Sequence, residues 1–240
     1  EKKAKEEFTL EYSDFVLYSY WRASCPWRVR IALNLKEIPH TIKPINLLKK
    51  ENTSEEYLSI NQHGKLPVLE FTETKYNTNK EKTGSALKRI AESTAIIDFL
   101  EEIFPEKYPL LPSGKDKAVE RAKVKEMALH IACNIHPLQN LPVLTKIESL
   151  GHDKIEWGKH FITKGFTSYE KELKKTKGKY SFGDSVTLAD LYLIPQLYFF
   201  KRNGLSLEEF PLIIEIQKAV SEHPAFIKAE PENQIDAVKS

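Results

Sequence analysis

Pro105, Pro109, Pro112 and Gly114 fall in one short stretch near the middle of the sequence. A proline donates no backbone hydrogen bond and obstructs the preceding turn of a helix, so neither a helix nor a sheet ladder can run through such a cluster. The stretch divides two parts with different hydrophobic periods. Before it, short β-branched or aromatic runs alternate with helical segments, the pattern of an α/β unit; after it, long segments of helical period follow one another. With 240 residues the chain has room for two modest domains. The expected organisation is an α/β domain over residues 14–104, a linker over 105–115, and an all-α domain over 116–228.

In the first part, Phe15–Tyr18 reads as a strand. A helix begins near Pro26, with Val29, Ile31, Ala32, Leu33 and Leu35 as its buried stripe. His40–Ile45 can form a second strand, Ser54–Ile60 a short helix and Leu66–Phe71 a third strand opening on proline. Thr72–Ser85 is polar and without period, so a long exposed loop is expected there, leading to a short fourth strand near Ala86–Ile90. Ser93–Ile103 has the period of a helix with Ser93 at its start. Further helices are expected over Asp116–His136, Asp153–Lys175, Thr187–Arg202 and Leu207–Glu222. Thr187-Leu188-Ala189-Asp190 has the spacing of a capping box, with Asp in place of the usual Glu.

Hydrophobic residues at 41% and charged residues at 29% suit a chain that buries a core. The 36 basic and 34 acidic residues are interspersed, which argues against nucleic acid or an anionic membrane as partner. Apolar runs such as Leu191–Phe200, broken by Pro195, fall well short of the roughly 20 residues of a membrane span. Glu1–Asp14 is mostly charged, so no secretory signal is expected in it; the chain opens without Met, and a preceding segment is left open. Cys25 and Cys133 are too few for a disulfide framework and lie near no His/Cys cluster, so no metal is expected, and a reducing cytosol fits.

The segment that carries chemistry is Tyr18-Ser19-Tyr20-Trp21-Arg22-Ala23-Ser24-Cys25-Pro26-Trp27-Arg28-Val29-Arg30-Ile31-Ala32-Leu33: strand, polar turn, helix. Ser24 and Cys25 fall at the helix N-terminus, where unpaired amides and the positive end of the dipole favour a thiolate or carboxylate. Spacing alone leaves a plainer reading open, in which Ser24 caps the helix and Cys25 fills a small buried space. Ser93, likewise, is either a cap or an anion ligand.

Ala-Ser-Cys-x-Trp-Arg-Val-Arg-Ile-Ala-Leu over residues 23–33 resembles the signature of zeta-class glutathione transferases, the class that includes maleylacetoacetate isomerase. Pro44-Ile45-Asn46-Leu47, Glu92-Ser93, Pro137-Leu138-Gln139-Asn140-Leu141, Ile162-Thr163-Lys164-Gly165-Phe166 and Ala189-Asp190-Leu191 with Pro195-Gln196 are similar to that class in the same order, from about Phe15 to Phe226. The resemblance implies the glutathione transferase fold, a thioredoxin-like N-terminal domain followed by an all-helical domain that completes an electrophile pocket. It implies glutathione as cosubstrate, a small dicarboxylate or electrophilic substrate, and a cytoplasmic homodimer. Ser24 and Cys25 take the catalytic positions. Glutathione falls to Ala23, Ser24, Cys25, Arg28, Leu66, a cis Pro67, Glu92, Ser93, His136, Asn140 and Leu141, and the substrate carboxylates to Arg28 and Arg202. The reaction implied is cis–trans isomerisation of maleylacetoacetate to fumarylacetoacetate, with transferase activity on small electrophiles such as alpha-halo acids.

The sequence departs from the family at three places. Ala23 replaces the first serine of Ser-Ser-Cys, His136 stands where relatives commonly carry Gln, and Thr72–Ser85 is longer than the compact turn of relatives. Two alternatives remain. Cys25-Pro26-Trp27 also looks like the start of glutaredoxins and omega-class transferases, which would make Cys25 the nucleophile of a thiol transferase or dehydroascorbate reductase. A non-catalytic binding module on the same fold is the other.

Overall fold

The computed structural model describes residues 8–238; residues 1–7, the first half of the charged N-terminal stretch, and residues 239–240 lie outside it. The chain forms two compact units. One contains the described residues up to Phe104 together with those from Ala229 onward; the other is Pro105–Lys228.

The first unit runs β1 (Phe8–Ser19), α1 (Ser24–Leu35), β2 (His40–Pro44), α2 (Glu55–Ile60), β3 (Val68–Asn77), β4 (Lys82–Ala91) and α3 (Ser93–Ile103). Its sheet has the order β2-β1-β3-β4, with β1 and β2 parallel and the other pairs antiparallel. This is the mixed sheet expected of a thioredoxin-like unit. Successive residues of a strand face opposite sides. Accordingly Phe15 meets Phe71 and Phe104, and Phe71 stacks on Phe99 of α3 at 4.7 Å, while Tyr18 turns the other way to pack with Tyr57 of α2 and Val68. The helix α1 is buried almost all round.

Thr72–Ser85 is not the expected loop. β3 and β4 continue through it as a hairpin, with Thr72 paired to Leu87 and Lys75 to Gly84. Asn77 closes the turn, its side-chain oxygen accepting the N–H groups of Asn79 and Glu81 at 3.0 and 2.9 Å. On the other side of β3, Phe8–Ser13 extends β1 well beyond the expected Phe15–Tyr18. These strands escaped detection because an exposed ribbon buries no continuous face, and hydrophobic period is the signal that marks a strand. β4 is exposed along nearly its whole length.

In the second unit α4 (Ala118–Leu129) does not run on to His136. It widens into a π-helical turn, His130–Ile135, and tightens into a 3-10 turn, His136–Gln139. Pro137 explains the break, since its ring would obstruct the carbonyl one turn earlier. Then come α5 (Leu141–Ser149), α6 (Lys154–Thr176), α7 (Leu188–Arg202), α8 (Pro211–Ser221) and α9 (Pro224–Ala229). α5 and α9 were not anticipated. The bend packs closely on α6: a Cβ at Gly165 would overlap the Ile135 side chain.

Asp190, fully buried, holds the start of α7. Its carboxylate accepts the N–H of Thr187 at 2.8 Å, the reach of a capping box, and also the N–H of Ser181 at 2.8 Å. Burial pushes its carboxyl above the usual range, and the bonds from Ser181 and Thr187 oppose that shift. Glu170 of α6 does similar work for α8, accepting from Leu212 at 2.6 Å and Ile213 at 3.1 Å. Asp190→Ala would leave two buried N–H groups without acceptors, each costing roughly 1–3 kcal/mol. Urea unfolding should show a loss of about 2–6 kcal/mol.

Candidate active site

Register brings three chain segments to one end of the sheet. Val68, at the start of β3, pairs with Tyr18 near the end of β1 and with Ala91 at the end of β4. The loop leading to α1, the Leu66–Pro67 segment before β3, and Glu92-Ser93 after β4 therefore emerge side by side. The expected site residues of the first unit lie on these segments, on the first turns of α1 and α3, or, for Arg28, one turn further along α1.

At the start of α1 the cap position falls on Ala23, at φ −79° and ψ 124°, which supplies no side-chain oxygen. Ser24 thus lies inside the first turn and is not the N-cap. Ala23, Ser24 and Cys25 are half-buried. One turn on, Arg28 is 2% exposed, its Nη1 3.7 Å from Cys25 Sγ and 3.5 Å from Ser93 Oγ. Both contacts are long, so they set position more than they bind. A guanidinium nevertheless links the first turns of α1 and α3. That places positive charge and two helix N-termini together, a combination that suits a carboxylate or thiolate.

Pro67 follows a cis peptide bond, as the resemblance implied. Residues that the sequence reading passed over hold this loop. Tyr57 Oη donates to the Lys65 carbonyl at 2.7 Å, Asn61 Nδ2 donates to the same oxygen at 2.9 Å, and Asn52 Nδ2 donates to the Gly64 carbonyl at 2.7 Å. Burial pushes the Tyr57 phenol up, so it stays a donor. Asn61 and Gly64 just after α2 were the available signal, as turn residues at a helix end. Glu92, the N-cap of α3, is exposed and sits at φ 71° and ψ 121°. A non-glycine residue there costs roughly 1–3 kcal/mol, and such strain clusters at active sites and ligand clamps.

The remaining candidates belong to the second unit. His136 follows the π-helical turn, its Nδ1 3.4 Å from Gln139 Nε2. Asn140 caps α5, its side-chain oxygen accepting the Leu141 N–H at 2.8 Å. Arg202 is exposed in the last turn of α7. No cluster of three or more His, Cys, Asp or Glu suited to a metal occurs among the described residues, and none of their helices is long and apolar enough to cross a membrane.

A family model for the glutathione S-transferase N-terminal domain matches residues 23–103, and one for the glutathione S-transferase C-terminal domain matches residues 148–229. The chain is 43% identical to a probable maleylacetoacetate isomerase 2 of Drosophila melanogaster, over 92% of this chain and 89% of that protein. A solved bacterial maleylpyruvate isomerase, described as a zeta-class glutathione S-transferase, matches with TM-score 0.80 and 33% identity over 93% of this chain and 100% of its own. The maleylacetoacetate isomerase of Anaeromyxobacter dehalogenans, solved with dicarboxyethyl glutathione and citrate in its active site, matches with TM-score 0.78 and 34% identity over 94% of each chain. The chain belongs to the glutathione S-transferase family. Its similar relatives include zeta-class glutathione S-transferases and maleylacetoacetate isomerases.

If the Glu92 conformation is held for a ligand, relieving it should separate stability from binding. Glu92→Gly should raise the unfolding free energy by about 1 kcal/mol, the strain relieved less the added freedom of the unfolded chain. Retention on immobilised glutathione should fall in the same variant.

Proposed function

We propose that the protein is a glutathione-dependent cis–trans isomerase that converts maleylacetoacetate to fumarylacetoacetate, and that it also transfers glutathione to small electrophiles such as alpha-halo acids. The observation that carries this reading is the buried Arg28 guanidinium between Cys25 and Ser93 at the starts of two helices. In this reading the α1 terminus, with Ser24 and Cys25, receives the glutathione sulfur. Its first-turn amides have no carbonyl partner within the helix, and the dipole favours the thiolate. The Leu66 backbone, next to Pro67, pairs with the cysteinyl backbone of glutathione. Ser93 and the α3 terminus take the γ-glutamyl carboxylate and Glu92 its ammonium. On the second unit, His136, Asn140 and Leu141 are assigned to glutathione.

The chemistry needs no metal. The thiolate adds to one carbon of the cis double bond, and the π electron pair moves onto the conjugated carbonyl oxygen as an enolate. The former double bond now rotates. Return of the pair re-forms the double bond in the trans geometry and expels the thiolate, so glutathione is regenerated and no proton is gained or lost. The protein must stabilise the thiolate in both forward and return steps and hold two carboxylates, a task suited to the guanidinium forks of Arg28 and Arg202. Cys25 and Cys133 form no disulfide; a cytoplasmic location and a homodimeric assembly complete the proposal.

Isomerisation of maleylacetone should require glutathione and should survive Cys25→Ala with a modest loss. Complete loss of isomerisation in that variant, with thiol transfer lost as well, would instead make Cys25 the nucleophile. Arg202→Ala should lower kcat/KM for dicarboxylate substrates by roughly 10–100-fold, the worth of a charge-assisted hydrogen bond, and leave neutral electrophiles almost unchanged. An equal fall for both substrate types would remove Arg202 from carboxylate binding.

A further inference from the structure

The loop that leads into α1 is held by residues from the far end of the chain. Trp21 stands two residues before Ala23, and both of its backbone polar groups are occupied from outside the loop. Its N–H donates to Asp236 Oδ2 at 3.0 Å, and its carbonyl accepts from Arg30 Nη2 at 2.9 Å. Arg30 is 1% exposed. Its Nε and Nη2 also donate to the Ala229 carbonyl at 3.0 and 2.9 Å, and its Nη1 donates to Ser19 Oγ at 3.0 Å. One guanidinium thus gathers the end of β1, the loop, and the point where the C-terminal segment rejoins this unit.

Asp236 aims its hydrogen bonding at the loop: among the described residues its second oxygen, Oδ1, is buried and accepts no hydrogen bond. The turn then passes the position on, because the Ala23 N–H donates to the Tyr20 carbonyl at 3.0 Å. Ala23 carries no side-chain oxygen to fix the helix start, so the backbone of residues 20–23 sets where the first turn of α1 begins.

We propose that Asp236 and Arg30 are positioning residues, which use the C-terminal segment to fix the Tyr20–Ala23 loop and so place the α1 terminus for the glutathione sulfur. The inference rests on the assignment of glutathione to that terminus. Independently, the Asp236 charge opposes the fall of the Arg30 guanidinium, pushed down to about 9 by burial, so the two groups stabilise each other across the loop.

The test compares the full chain with Asp236→Ala and Asp236→Asn, the latter keeping an oxygen that can accept the Trp21 N–H. Ionisation of enzyme-bound glutathione is followed by thiolate absorbance against pH, with kcat and KM for glutathione measured separately. Hydrogen–deuterium exchange is read over residues 20–25, since local opening shows there without any ligand. Asp236→Ala should raise the apparent pKa of the bound thiol, lower kcat/KM for glutathione about tenfold and speed exchange in the loop, with Asn restoring most of each. Unchanged thiol ionisation and loop exchange in Asp236→Ala, or an Asn variant no better than Ala, would overturn the proposal. Failure of the unaltered protein to bind glutathione would overturn the site assignment instead, and the exchange measurement would still decide whether Asp236 holds the loop.

Discussion

A guanidinium inside a dry helix interface must find acceptors for its donors nearby, because an uncompensated buried charge costs several kcal/mol. Arg30 imposes that condition on the first unit. Its acceptors are two backbone carbonyls, of Trp21 and Ala229, and the Ser19 hydroxyl. They come from two stretches of chain far apart in sequence, residues 19–21 and Ala229, and moving either away would leave buried guanidinium donors unpaired. Lys36, at the other end of α1, does comparable work: its ammonium meets Glu101 and the Phe104 carbonyl, which fixes the end of α3. α1 therefore anchors the unit by its cations as well as by its apolar surface.

Arg28 completes the set and faces a different task. It lies beside Cys25 and Ser93 at the end of the sheet where the three connecting segments emerge. One helix thus carries an anchoring cation, Arg30, two positions from the cation to which the proposed function gives a substrate role. The neighbouring loop is arranged in the same spirit. Tyr57 and Asn61 spend their donors on the Lys65 carbonyl, just before Leu66, so the backbone there is fixed before any ligand arrives.

Much of this was legible in the sequence, and the failures have a common cause. α1, α3, α6 and α7 bury continuous stripes and were readable from period, and the motif around Ser24 and Cys25 marked the helix terminus. The outer part of the β3–β4 hairpin was not, because β4 there is exposed and β3 mostly half-buried, which leaves no buried face to read. Nor was the π-helical turn, since Pro137 announces a break without saying how the preceding residues absorb it. Arg30 reads in sequence as one more charge, and nothing near it names Trp21, Ala229 or Asp236 as partners. Contacts across that much sequence are made by the fold and leave no local trace.

Ala23 shows how one local rule can bend at such a site. In a helix the N-cap side chain bonds the N–H of the second or third residue, and losing it costs about 1 kcal/mol. Here the third residue of α1 is Pro26, which has no N–H, so a serine at position 23 would have only the Cys25 amide to cap. Alanine costs the helix correspondingly little. Under the proposed function, the terminus would draw a thiolate through backbone and dipole, with Ser24 as the adjacent hydroxyl. Such a terminus stabilises an anion only as well as its backbone is held in place, and the Trp21 carbonyl and N–H are the points at which this chain holds it.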